Sequence, residues 1–241
     1  MREILEDAAI VYRHEAESLL IVAAPAVVLG PVCVLIAASG LQAAMISIPA
    51  LIVLYLLTYA TSLRAAKLVF QSDEPDPLSA FASTLAKLPA ILIAFAPIGL
   101  VIATTAVASL IVANEGFPLI AFGLGLSGSL VALSWMSRHA YDLPLILAYG
   151  VDGLQALQAG RNVLQTAPAW TSRIFVATGV PLLATWLICW GLWAVLSPAF
   201  GAAVFAAVVA LWMPFAALSF MGACTRLVSQ DATATQPSPA A

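Results

Sequence analysis

Residues 18–63 read SLLIVAAPAVVLGPVCVLIAASGLQAAMISIPALIVLYLLTYATSL, 46 residues without Asp, Glu, Lys or Arg. A bilayer-crossing helix needs about 20 apolar residues at about 1.5 Å each. The stretch is too long for one crossing and reads as a helical hairpin, broken at Ala38-Ser39-Gly40-Leu41-Gln42. Residues 174–225 are a second block of this kind, 52 residues long, with Ser197-Pro198 as its break. Between them lie two uncharged blocks of 27 and 22 residues, 88–114 and 116–137, each the length of one crossing and joined through Glu115. The expected spans are 18–38, 43–63, 89–113, 117–137, 172–196 and 199–223. Strands of a β-barrel alternate polar and apolar residues over about ten positions, and no block here does.

Composition agrees with this reading. The chain has 241 residues, 63% of them hydrophobic and 9% charged, with a mean hydropathy of +1.04. A soluble domain is about a quarter charged. This balance excludes a soluble enzyme, a disordered chain and a secreted disulfide scaffold. The net charge of −3 offers no basic face to nucleic acid. The acidic start, Met1-Arg2-Glu3-Ile4-Leu5-Glu6-Asp7, lacks the pattern of a cleavable signal, so the first span is expected to be an uncleaved anchor. Cys33, Cys189 and Cys224 are scattered within spans, without the spacing of a metal site or a disulfide framework.

The positive-inside rule orients the chain. Arg2 and Arg13 precede span one, and Arg64, Lys67 and Lys87 lie between spans two and three. Arg138, Arg161 and Arg173 lie between spans four and five, and Arg226 follows span six. With six spans, all nine cations fall on one side, and both termini are expected in the cytoplasm.

The two long connections resemble each other. Asp76-Pro77-Leu78-Ser79-Ala80-Phe81 and Asp152-Gly153-Leu154-Gln155-Ala156-Leu157 are offset by 76 residues. Each begins with an Asp suited to capping a helix, and Pro77 suits a first helical position. Leu78, Phe81, Leu85 and Leu88 lie on one helical face, as do Leu154, Leu157 and Leu164. Residues 7–19 follow the same spacing more loosely. The expected architecture is all-α and polytopic: six transmembrane helices as three hairpins, each preceded by a short amphipathic interfacial helix (1–17, 76–88 and 152–165), in parallel internal repeat. Residues 1–228 form one domain, and 229–241 are expected to be a disordered tail.

The stretch from Tyr141-Asp142-Leu143-Pro144 to Ala159-Gly160-Arg161-Asn162-Val163-Leu164 is similar to six-helix bacterial membrane proteins related to the membrane domain of glycerophosphodiester phosphodiesterase. Many of those proteins carry a serine where this chain has Gly160. The resemblance implies a helical-repeat fold in the bacterial inner membrane. It carries over no catalytic residue, because the phosphodiesterase chemistry belongs to a separate soluble domain.

Four features are candidate sites. Gly125-Leu126-Ser127-Gly128 has the look of an intramembrane protease motif, but a serine needs a base and the later spans hold no histidine. It reads as small-residue packing through Gly123/Ser127 and Gly125/Ser129. Arg138, His139 and Asp142 form a polar interfacial cluster, spaced to meet on one side of a helix. Pro25, Pro97 and Pro181 are helix-kink positions inside spans, a feature that marks transport sites in repeat transporters. Trp186, Trp190 and Trp193 share a helical face and read as packing or anchoring. No catalytic, cofactor-binding or metal-ligating residue is expected, and no cofactor. The expected function is non-enzymatic: a scaffold or accessory subunit whose partners are the lipid bilayer and another membrane protein. The alternative is a small permease or channel for an apolar or weakly polar solute.

Overall fold

The computed structural model describes residues 2–71, 76–166, 168–195 and 197–234. Among them every regular element is a helix. The order is α1 (Arg2–His14), α2 (Ala16–Ala38), α3 (Leu41–Phe70), α4 (Pro77–Ala86), α5 (Leu88–Asn114), α6 (Pro118–Arg138), α7 (Asp142–Tyr149), α8 (Gly153–Thr166), α9 (Pro168–Val195) and α10 (Pro198–Ala234).

Among the described residues, five helical segments are long and apolar enough to cross a membrane: Ala16–Ala38, Leu41–Phe70, Leu88–Val112, Leu119–Arg138 and Ala199–Val228. The chain is a helical protein of membrane-spanning character. α9 is a further helix of 28 residues. The turns fall at Ser39-Gly40, Glu115-Gly116 and Ser197, where charge gaps and breakers placed them. α10 continues to Ala234, so 229–234 are helical and not part of a tail; 235–241 lie outside the described residues.

α10 packs against α2, α3 and α9, while α5 and α6 pair mainly with each other. The α5–α6 seam is built from small residues. Ala121, Gly128 and Ala132 are buried on α6, and an added Cβ at Gly128 would collide with Thr105 on α5. Gly125 also faces α5, near Ser109. The expected Gly123/Ser127 pair is thereby corrected: Gly123 has open space around it and Ser127 is exposed, its hydroxyl donating to the Leu124 carbonyl at 2.8 Å; of the second pair, the Ser129 side chain lies outside the described residues. The seam follows a spacing of four and three residues, which keeps one stripe toward α5.

The short helices also bury their small residues. α4 buries Ala80 and Thr84, and α8 buries Gly153, Ala156 and Gly160. On α4, Leu78, Phe81 and Leu85 point away, Leu78 being 79% exposed; on α8, Leu154 is 71% exposed, while Leu157, Val163 and Leu164 are half-buried against the core. Close approach explains this choice: Gly153 sits so near the Ala90 carbonyl that a Cβ would lie 2.5 Å from its oxygen. Asp76 caps α4 as expected, accepting from the Leu78 and Ser79 amides at 3.1 and 3.2 Å.

α1 docks on α10. Ile4 and Ala8 are buried, the Tyr12 ring meets the Phe215 ring edge-on at 6.1 Å, and its hydroxyl donates to the Leu211 carbonyl at 3.2 Å. Arg226 binds Asp7 at 2.5 Å and Glu3 at 3.3 Å. The side chains of Trp186, Trp190 and Trp193 lie outside the described residues.

Candidate functional site

A fully buried carboxyl group, that of Asp142, lies between α6 and α8. Residues 143–149 are apolar but far too few to span a bilayer, and they form their own short helix, α7. α6 stops at Arg138, and the His139 amide closes its last turn on the Trp135 and Met136 carbonyls. The Asp142 amide then donates to the His139 carbonyl at 3.2 Å and opens α7. Pro144 stands in the first turn of α7, where its missing amide hydrogen costs nothing. Asp142 to Leu147 are all buried. α7 is a plug of protein core against the bundle.

Both ends of α7 are tied by side chains. At its N-terminus, His139 Nδ1 stands 2.8 Å from Asp142 Oδ2. The Asp142 side chain is 0% exposed and that of His139 13%. The imidazole stacks on Trp135 with ring centroids 4.3 Å apart, and Trp135 in turn meets the Phe95 ring edge-on. Asp142 Oδ1 is buried without a hydrogen-bond partner and presses on Gly160 of α8, where any Cβ would overlap it. The neighbouring Tyr141 hydroxyl accepts from Thr171 Oγ1 at 3.0 Å, which links the junction to α9.

At the C-terminus, Gly150 takes a left-handed conformation with φ of 69°, which L side chains adopt only under strain. Its amide donates to the Leu145 carbonyl. Two cations of α3 satisfy the last carbonyls. Arg64 Nη1 donates to Leu147 at 3.1 Å while its Nε reaches Ser83 Oγ, and Lys67 Nζ donates to Ala148 at 2.5 Å. Cations at a helix C-terminus also oppose its partial negative charge.

Burial sets the protonation of the pair. It pushes the Asp142 acid up to about 7, with the Arg161 guanidinium pulling the other way. Burial also lowers His139, reinforced by Arg161 and Arg138. Both shifts favour the neutral forms. Just below neutral pH the protonated acid then donates a hydrogen bond to an uncharged imidazole and keeps its proton, and no ion is left in the core. The arrangement holds a proton on a helix junction. Among the described residues, no three His, Cys, Asp or Glu side chains gather as a metal ion needs.

Of the expected cluster, the structure brings His139 and Asp142 together and leaves Arg138 exposed. They meet across a helix break and not on one face of a continuous helix, because the chain turns at 139–141 and folds Asp142 back. Pro25, Pro97 and Pro181 all lie within continuous helices and are exposed on outward faces. Sequence reading missed Gly160, Arg64 and Lys67 as members of this assembly. The short apolar run after Asp142, too brief to span, was the available signal for α7. Nothing in the pattern points to Gly160.

No family model, characterised protein or solved structure matches this chain.

Proposed function

We propose that this protein is a non-enzymatic scaffold or accessory subunit of a membrane complex, with six spans and both termini in the cytoplasm of a bacterium. The observation that carries the proposal is how the polar side chains are used. Arg64, Lys67, His139 and Asp142 are committed to holding α7 against the bundle, which makes the end holding them a locked platform. The three prolines of the permease alternative face outward, whereas a passage would need them to border its wall.

Six spans are supported by the length of α9 and by the cations, which then share one face. A threefold parallel repeat is supported by the element order, in which a short helix and two long ones start at Arg2, Pro77 and Gly153. In this reading α4 and α8 lie at the membrane interface with Leu78, Phe81 and Leu154 toward lipid.

The scaffold reading is tested by native-level purification in mild detergent. A second membrane protein at fixed stoichiometry supports it. Purification alone, together with solute uptake lost on replacing Pro25, Pro97 and Pro181, would replace it with the permease. Topology is tested separately with a cysteine at position 115 in a chain whose native cysteines are removed. Labelling from outside the cell is expected; labelling only from the cytoplasm reverses the orientation.

A further inference from the structure

Beyond the C-terminus of α7 lies a cavity of about 250 Å³, lined by Lys67, Phe70, Gln71, Ala148, Tyr149 and Thr225. This is head-group scale, below the range of about 300–1,000 Å³ for small-molecule pockets. Its lining offers an ammonium, an amide and two hydroxyls, and no carboxylate. An ammonium has three donors, and the bond to Ala148 uses one of them.

The surroundings carry excess positive charge. Arg64 binds the adjacent carbonyl of α7, and Lys87 Nζ lies 3.7 Å from where a Cβ of Gly150 would stand. Three cations thus converge on a helix end worth about half a negative charge. A neighbouring cavity makes the contrast. It shares Phe70 and Thr225 but is bordered by Asp7 and Arg226, and that cation is already engaged by Asp7 and Glu3. Depth also matters: Lys67 is four residues beyond the uncharged block 18–63 and three before the end of α3. That is the level at which a spanning helix meets lipid head groups.

We propose that this cavity binds a phosphate-bearing anion, supplied as a lipid head group or as free phosphate, with Lys67 as the charge partner and Gln71 and Tyr149 as neutral ligands; the Thr225 hydroxyl lines the cavity but donates to the Met221 carbonyl. The site is independent of whether the protein is a scaffold or a permease.

The test uses the full chain in an uncharged detergent. Native mass spectrometry compares retention of phosphatidylglycerol with that of phosphatidylcholine, and thermal unfolding is followed with and without millimolar inorganic phosphate. One phosphatidylglycerol is expected to be held, about ten-fold over phosphatidylcholine, as one added charge contact warrants. Lys67→Gln is expected to remove that preference. Gln71→Leu with Tyr149→Phe leaves the Lys67–Ala148 bond intact and is expected to weaken retention several-fold, so the proposal stays testable if Lys67→Gln does not fold. A phosphate-induced rise in the unfolding midpoint that these variants abolish, without lipid preference, assigns the site to free phosphate. The proposal is overturned if both variants bind as the unaltered chain does, or if neither probe is bound.

Discussion

Two acid–base pairs tie a short helix to its surroundings, and they differ in almost every physical respect. Arg226 with Asp7 and Glu3 joins α10 to α1 at the surface, with side chains 39%, 48% and 80% exposed. His139 with Asp142 joins the end of α6 to α7, and the acid is sealed from solvent. In the open pair, water screens the charges, and ordering long side chains offsets much of the attraction. In the sealed pair there is no water to substitute for a lost partner, so geometry decides whether the helix junction can form at all. Similar chemistry therefore gives a fastening in one place and a structural requirement in the other.

The largest effect is expected where the sealed pair meets a neighbour. Gly160→Ala places a methyl group on Asp142 Oδ1 and should cost about 2–3 kcal/mol, the scale of core overpacking. Gly123→Ala, on a helix face with open space, is the control and should be neutral or slightly stabilising. Equal behaviour of the two in thermal unfolding would break the comparison.

Arg64→Gln comes next. It withdraws the donor from the Leu147 carbonyl and is expected to cost about 2 kcal/mol, as for a buried acceptor left unmet. Hydrogen exchange should locate the loss in α7.

A smaller effect follows pH. The Asp142 acid stands near 7 in the folded chain against 3.8 when exposed. A raised value favours folding fully below the unfolded value, and that contribution is lost as pH rises through about 7. His139 runs the other way. Its value is lowered from 6.5, so its contribution is present above 6.5 and lost on acidification. From about pH 6 to pH 8 the acid dominates, and stability should fall by on the order of 1 kcal/mol. Asp142→Asn should flatten that slope; a slope that survives would place the titration elsewhere.

The smallest effect belongs to the open pair. Arg226→Gln should cost less than about 1 kcal/mol, and the difference should shrink further in high salt. A cost matching that of Gly160→Ala would erase the distinction between the two pairs.

Much of this was legible beforehand. The helix turns at Ser39-Gly40, Glu115-Gly116 and Ser197 follow from charge gaps and breakers, and the Asp76 cap follows from Asp-Pro at a helix start. His139 and Asp142 were legible as a pair, though not as a buried one. The faces of α4 and α8 were harder to read. Leucine spacing marks an apolar stripe, but Leu78, Phe81 and Leu85 of α4 and Leu154 of α8 point out, Leu157 and Leu164 are half-buried, and alanine, threonine and glycine take the fully buried positions. In a lipid surrounding, large apolar side chains gain nothing by turning inward, and close approach of helices decides instead.

The amino-acid sequence by itself determined the helical class, the lengths of the long helices and the places where the chain turns. These depend on local quantities: runs without charge, breakers and caps. Tertiary structure alone decided that residues 142–147 form a buried plug, that Gly160 closes on Asp142, and that Arg64 and Lys67 finish a helix about eighty residues away. Burial is a property of neighbours distant in the chain. A carboxyl group and an apolar run carry no local mark of whether water, lipid or protein will surround them.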